Sequence, residues 1–224
     1  MNISRYIDYT LLAPEATKED IIKLCEKAKQ HNYKTVCVQP SRVDLAYKYL
    51  AGSNTGVTTV VGFPNGASYF GYDFGINSIV QEVKNILFMH HTCEIDMVMD
   101  IGALKDGDYS TVLNGITKVK RVVDKSKYSK LKVIIETGAL TNEEKRTATK
   151  IVCDCGADFV KTSTGMNKCS KPATVEDIQL MYEIVNGTKT LIKASSGIKD
   201  YETALALLKA GASRLGTSSL ICGE

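Results

Sequence analysis

The feature that most constrains this chain is an alternation of eight short apolar runs with longer, mostly amphipathic segments. The runs read as strands over Arg5–Thr10, Thr35–Val38, Val57–Gly62, Cys93–Met99, Leu131–Glu136, Phe159–Thr162, Thr190–Lys193 and Arg214–Gly216. They are brief and rich in Val, Ile and Thr, as buried parallel strands are. Helices are expected over Thr17–Gln30, Ser41–Leu50, Phe74–Met89, Asp108–Asp124, Asn142–Cys155, Val175–Asn186 and Tyr201–Ala210. Thr17 with Asp20, and Thr141 with Glu143 and Glu144, supply amino-terminal caps; Gly156 and Gly211 supply carboxyl-terminal stops. Eight strands and seven or eight helices in 224 residues predict an α/β fold, a (β/α)8 TIM barrel filling residues 1–224 as one domain. A doubly wound sheet would want a glycine-rich turn after an early strand, and neither GxGxxG nor GxxxxGK[ST] occurs.

Composition narrows the function classes. With 44% hydrophobic residues the chain can bury a sizeable core, which excludes a disordered chain. Twenty-eight basic against 25 acidic side chains leave a scattered net charge of +3, too little to argue for nucleic acid. No stretch of about 18 apolar residues is present, so no membrane span is expected. Nor does the amino terminus read as a signal peptide. Seven irregularly spaced cysteines are a poor disulfide framework and fit a reduced, cytoplasmic protein. The one close pair, Cys153 and Cys155, points in diverging directions on a helix, and no metal is expected there. His31, His90 and His91 lie away from the strand ends, so metal-assisted chemistry is not expected either.

In such barrels the chemistry sits where strands end. Lys161 closes the sixth run in line with Phe159, which turns it into the barrel, where lysines are rarely buried unpaired. Alone, it reads as a snorkelling or ion-paired lysine. Lys193 repeats the pattern on the next strand, sharing a face with Leu191. On strands about 4.8 Å apart, two ammonium groups repel by about 3 kcal/mol, roughly two pKa units. That brings one amine towards a usable nucleophile of the Schiff-base kind. Asp96 is the third inward candidate, and Lys161 or Lys193 is its expected partner; a structural ion pair is the plainer reading.

Phosphate is the natural handle of the substrate. Gly197, Ile198 and Lys199 follow the seventh strand, and Gly216, Ser218 and Ser219 the eighth, the two loops at which barrels often bind phosphate. Gly165, after the sixth, adds another close backbone approach; each glycine taken singly is only a turn. Asp8, Cys37 and Glu136 are further candidates for the pocket, Glu136 either turned into the site or holding a lysine in place.

These residues, with Val61-Gly62-Phe63-Pro64, Glu94-Ile95-Asp96-Met97-Val98, Phe159-Val160-Lys161-Thr162-Ser163-Thr164-Gly165 and Gly216-Thr217-Ser218-Ser219, resemble the deoxyribose-phosphate aldolase family from about Ile7 to Ser219. The resemblance implies reversible cleavage of 2-deoxy-D-ribose 5-phosphate to D-glyceraldehyde 3-phosphate and acetaldehyde. It makes Lys161 the Schiff-base lysine, Lys193 the neighbour that keeps it nucleophilic, and Asp96 a partner of Lys193 in proton transfer. It implies no metal or organic cofactor, and a homodimer or homotetramer. The chain departs from the family pattern at Tyr9, Ala13, Gln39, Asp100 and Ser196, in the loop Met166–Pro172, and in an insertion within Ser68–Thr92. It also lacks a carboxyl-terminal tyrosine. These changes bear on substrate preference. Rival readings are a Schiff-base enzyme for another phosphosugar and a non-catalytic phosphosugar-binding protein whose lysines only hold the anion.

Overall fold

The computed structural model describes residues 1–66, 74–90 and 93–221. Strands β1 (Ile7–Leu11), β2 (Thr35–Val38), β3 (Gly56–Val61), β4 (Glu94–Val98), β5 (Leu131–Ile134), β6 (Phe159–Lys161), β7 (Leu191–Ser195) and β8 (Arg214–Thr217) pair in parallel in chain order. β8 pairs with β1 and closes the barrel. The helices are α1 (Lys18–Gln30), α2 (Val43–Leu50), α3 (Phe74–Met89), α4 (Ile101–Lys105), α5 (Tyr109–Val123), α6 (Asn142–Asp154), α7 (Val175–Val185) and α8 (Tyr201–Lys209). Both threonine caps form as full capping boxes: Thr17 and Thr141 each accept from the third helical N–H, and Asp20 and Glu144 accept in return. No helix among the described residues is long and apolar enough to cross a membrane.

Where boundaries differ from expectation, local chemistry accounts for it. The segment before α2 turns as a 3₁₀ helix over Pro40–Arg42, so the α-helix starts at Val43. The five-residue α4 is too short for a periodic signal; Asp100 caps it by accepting from the Ala103 N–H at 2.9 Å. β7 continues through Ala194 to Ser195, polar enough to read as loop. Leu191 shares the face of Lys193 as expected, but it is largely exposed at the strand's start.

Register places the core. Asp8 pairs with Thr35 and Gly216, Asp96 with Lys132, Ile134 with Lys161, Lys161 with Lys193, and Lys193 with Arg214. Neighbours in register share a face, and alternate residues take the other. Ile7, Val36, Val57, Ile95, Met97, Val133, Val160, Ile192 and Leu215 therefore point outward. They pack with helix residues such as Ile21, Val83, Ile116, Val152, Ile178 and Leu207 in a continuous apolar layer between sheet and helices. The opposite set meets across the barrel axis and is dominated by charge.

Candidate active site

The Asp96 carboxylate joins three strands. Its Oδ2 accepts from Lys161 Nζ at 2.7 Å and from Lys193 Nζ at 2.8 Å, and its Oδ1 accepts from Lys132 Nζ at 2.8 Å. Either lysine was a candidate partner, and both engage it. Lys193 also donates to Asp8 Oδ2 at 2.6 Å. Deeper in the barrel, Lys132 meets Glu94 Oε2 at 2.7 Å and donates to Thr58 Oγ1 at 3.2 Å. Arg214 Nη1 donates to Asp8 Oδ1 and to Glu94 Oε2, each at 2.7 Å, while its guanidinium stacks over Phe159 at 5.1 Å. Thr35 Oγ1 completes Asp8 with a 2.7 Å bond. Buried charge needs partners of this kind to remain ionised.

Lys132, Glu94 and Arg214 were absent from the expected site. The signal for them was alternation: Glu94 stands two residues before Asp96, Lys132 two before Ile134 and Arg214 two before Gly216, each on the inward face.

The electrostatics separate the lysines. Burial is the largest influence on Lys161 and lowers its pKa; Asp96 opposes it, and the charge on Lys193 lowers it further. Desolvation thus leads, with repulsion from Lys193, expected as the main cause, behind it. Burial acts on Lys193 in the same direction, but Asp8 and Asp96 outweigh it and its pKa rises. Burial likewise opposes ionisation of Asp96, yet Lys132, Lys161 and Lys193 hold its carboxyl well below the usual range. Asp8 is lowered by Arg214, Lys193 and Lys132 against the same burial. Lys161 is the member of the network whose charged form the surroundings disfavour.

It is also the member that reaches open space. At the carboxyl end of the strands lies a cavity of about 350 Å³, and Lys161 lines it. Gly165, Gly197, Ile198, Lys199, Gly216, Ser218 and Ser219 all line the same cavity, with Thr10–Ala13 on the facing side. Backbone geometry explains two of these glycines. Gly197 has φ +74°, and a Cβ there would lie 2.5 Å from Pro172 Cβ. A Cβ on Gly216 would lie 3.1 Å from Lys193 Cε, so its absence makes room for that side chain. Thr217 Oγ1 donates to the Ile198 carbonyl at 2.6 Å, tying the two glycine loops together. Ser196, where the family pattern has glycine, keeps the left-handed conformation at φ +78°.

Asp96 and Lys193 are not on the cavity wall, and neither are the three further pocket candidates. Asp8 lies below it, engaged by Arg214 and Lys193. Cys37 is buried with Leu12, Val60 and Phe63; of these Leu12 forms part of the wall. Burial raises its thiol to about 11. Glu136 holds neither lysine: its carboxylate accepts from Thr164 Oγ1 at 2.5 Å, the Thr164 N–H at 3.3 Å and Asn167 Nδ2 at 3.0 Å. The acid clamps the loop after β6 because it leaves its strand with φ +57°.

The departures from the family pattern fall mostly outside the charged network. Tyr9 faces the helices and packs against Tyr33 with ring centroids 5.5 Å apart. Gln39 donates to the Leu12 carbonyl at 2.9 Å, and Asp100 caps α4. Ala13 and Met166 line the cavity. Of the segment Ser68–Thr92 that holds the insertion, Phe74–Met89 form α3, whereas 68–73 and 91–92 lie outside the described residues.

Comparison with known proteins gives consistent matches. Residues 4–223 fit the pattern of the DeoC/LacD family aldolases. The deoxyribose-phosphate aldolase of Brevibacillus brevis is 48% identical over 219 residues, covering 98% of this chain and 93% of that protein. That of Thermococcus gammatolerans is 48% identical over 221 residues, with 98% and 93% covered. Among solved structures, the deoxyribose phosphate aldolase of Aeropyrum pernix, described as tetrameric, superposes with a TM-score of 0.83. It is 25% identical and covers 97% of this chain and 87% of its own.

Proposed function

The chain belongs to the DeoC/LacD family of aldolases, and on that footing we propose that it cleaves 2-deoxy-D-ribose 5-phosphate reversibly to D-glyceraldehyde 3-phosphate and acetaldehyde, with Lys161 forming the Schiff base. One observation carries the assignment of Lys161: it alone in the buried ionic network lines the cavity, and burial there lowers its pKa.

The steps follow from that placement. Neutral Lys161 Nζ adds to the C1 aldehyde of the open-chain sugar, and loss of water leaves an iminium. Removal of the C3 hydroxyl proton releases the C2–C3 bonding pair into the iminium. C3 becomes the aldehyde of glyceraldehyde 3-phosphate, and an enamine of acetaldehyde stays on Lys161. Protonation at C2 and hydrolysis free acetaldehyde and the amine. Lys193 and Asp96, linked at 2.8 Å and both in the network behind Lys161, are the proposed groups that move these protons through nearby water. The loops at Gly165, Gly197–Lys199 and Gly216–Ser219 hold the 5-phosphate by backbone N–H groups, the Ser218 and Ser219 hydroxyls and the Lys199 cation.

Phosphorylated sugars and six unpaired cysteine thiols among the described residues fit a cytoplasmic protein. The tetrameric Aeropyrum pernix relative supports a homo-oligomer.

The test combines acetaldehyde with borohydride and maps the modified residue by mass spectrometry. A stable two-carbon label on Lys161, with turnover of deoxyribose 5-phosphate exceeding that of ribose 5-phosphate, is the expected result. A label elsewhere overturns the mechanism; labelling at Lys161 without that preference overturns the substrate.

A further inference from the structure

The barrel interior contains more cationic than anionic side chains. Among the described residues, the carboxylates in the network are Asp8, Glu94 and Asp96, and the cations are Lys132, Lys161, Lys193 and Arg214. The three acids are shared unequally. Lys132 lies within 4 Å of all three, at 2.7 Å from Glu94, 2.8 Å from Asp96 and 3.5 Å from Asp8. Lys193 and Arg214 each touch two. Lys161 touches only Asp96, through the oxygen that Lys193 also occupies.

We propose that Lys132 is a positioning residue for catalysis: by occupying Asp96 Oδ1 and drawing on all three carboxylates, it leaves Lys161 as the uncompensated cation, the one that gives up its proton. This deepens the reading above and rests on Lys161 being the nucleophile. With Lys161 neutral, three acids face three cations and the interior is balanced. The iminium restores the surplus charge at the same nitrogen, and collapse to the neutral enamine discharges it, which favours carbon–carbon cleavage over return.

The ionisable groups around Lys161 come from all but one of the other strands. Asp8 lies on β1, Cys37 on β2, Glu94 and Asp96 on β4, Lys132 on β5, Lys193 on β7 and Arg214 on β8; β3 offers only Thr58 to the network, and Lys199 lines the cavity above. The directions agree with the inequality of contacts: Lys132, Lys193 and Arg214 are raised and Lys161 is lowered.

The sign is fixed. The neutral amine reacts, so activity rises with pH through the pKa of Lys161. Removing a neighbouring cation favours protonated Lys161 and moves that rise to higher pH; removing a carboxylate moves it lower. The experiment measures the pH dependence of acetaldehyde–cyanoborohydride labelling at Lys161, which involves no substrate phosphate, alongside kcat/KM. Lys132→Met is expected to shift the acid limb of both upward by about one pH unit. Glu94→Gln, which touches neither Lys161 nor Lys193, is expected to shift it downward. The double variant Lys132→Met with Glu94→Gln removes one charge of each sign, and its limb is expected near that of the parent protein. Thermal melts and near-UV circular dichroism confirm that the folded variants are being compared.

An unshifted limb in folded Lys132→Met, or a double variant whose limb stays displaced, overturns the proposal. If Lys132→Met does not fold, Glu94→Gln and the double variant decide it by the same criteria. Absence of labelling at Lys161 in the unmodified protein instead overturns the Schiff-base reading, so the two failures are distinct.

Discussion

The two sides of one sheet obey opposite rules. Outward residues such as Ile95, Met97, Val133 and Val160 join a largely apolar layer, and each is completely buried. Inward residues one position away, Glu94, Asp96, Lys132 and Lys161, are buried too, and they are ionisable. Burial on the outer side contributes stability by removing apolar area from water, about 25 cal/mol per Å². On the inner side it costs desolvation, which ion pairing offsets at best. The fold is therefore held by the outer layer, and the inner one is available for chemistry.

The largest effect expected from this division concerns Lys161. Lys161→Met removes the proposed nucleophile, and kcat/KM with deoxyribose 5-phosphate should fall by at least about 10⁴-fold. Stability should hold or rise. A lysine whose folded pKa is depressed binds its proton more weakly than in the unfolded chain, so it costs stability at neutral pH and recovers it only as pH rises beyond the folded value. Asp96 keeps Lys132 and Lys193 after the change. An inactive variant with a large loss of melting temperature would break the separation of the two sides.

Next comes Arg214, which is inward but not on the cavity wall. Arg214→Met leaves Asp8 and Glu94 short of a partner and should cost about 3–5 kcal/mol in urea unfolding at pH 7.5. Both carboxyls have lowered folded pKa values, and their stabilising contribution is present above about pH 4 and is lost as pH falls through the folded values. In the variant those values rise again. Its deficit relative to the parent should shrink as pH falls from 7.5 through the variant's raised carboxyl values, and a deficit that stays constant down to about pH 4 would show that lost packing against Phe159 dominates.

The outer layer supplies the complementary case. Ile95→Ala empties space in the apolar layer and should cost about 2–4 kcal/mol. Its pH profile of kcat/KM should match the parent wherever it is folded, because no charge has changed. A displaced profile would mean that the outer packing sets the inner electrostatics.

How much of this could be read in the sequence follows the same division. The strands were legible because outward positions make them apolar: Thr35–Val38 is found within the residues expected. β7 runs longer than its apolar stretch because Ser195, its last residue, is a polar side chain on the cavity wall. Lys161, Lys193 and Asp96 stood out as charges within apolar runs, and the glycine loops as turns at predictable ends. Glu94, Lys132 and Arg214 sit at the first or second positions of their strands. There a charge is indistinguishable from an exposed flank until closure of the barrel buries it. The fate of Glu136 depended on a left-handed backbone that nothing in its neighbours announced.

The smallest expected effect falls at the seam between the layers of the site, at Gly216. It pairs in register with Ser195 and faces inward beside Lys193. Its backbone is not left-handed, so an alanine there meets a steric limit and not a conformational one. The added Cβ would stand 3.0 Å from Ser195 Cβ and 3.1 Å from Lys193 Cε, distances that require a few tenths of an ångström of movement. Lys193 is flexible but anchored by Asp8 at 2.6 Å and Asp96 at 2.8 Å, so it has to loosen one of these bonds. A loosened Lys193 leaves Asp96 more fully to Lys161, which raises the pKa of Lys161 and weakens proton transfer together. Gly216→Ala should therefore lower kcat about tenfold, equal to about 1.4 kcal/mol, with KM changed less and the acid limb moved upward. If KM rises while kcat and the limb stay fixed, Gly216 serves the phosphate loop alone and Lys193 absorbs the methyl without consequence.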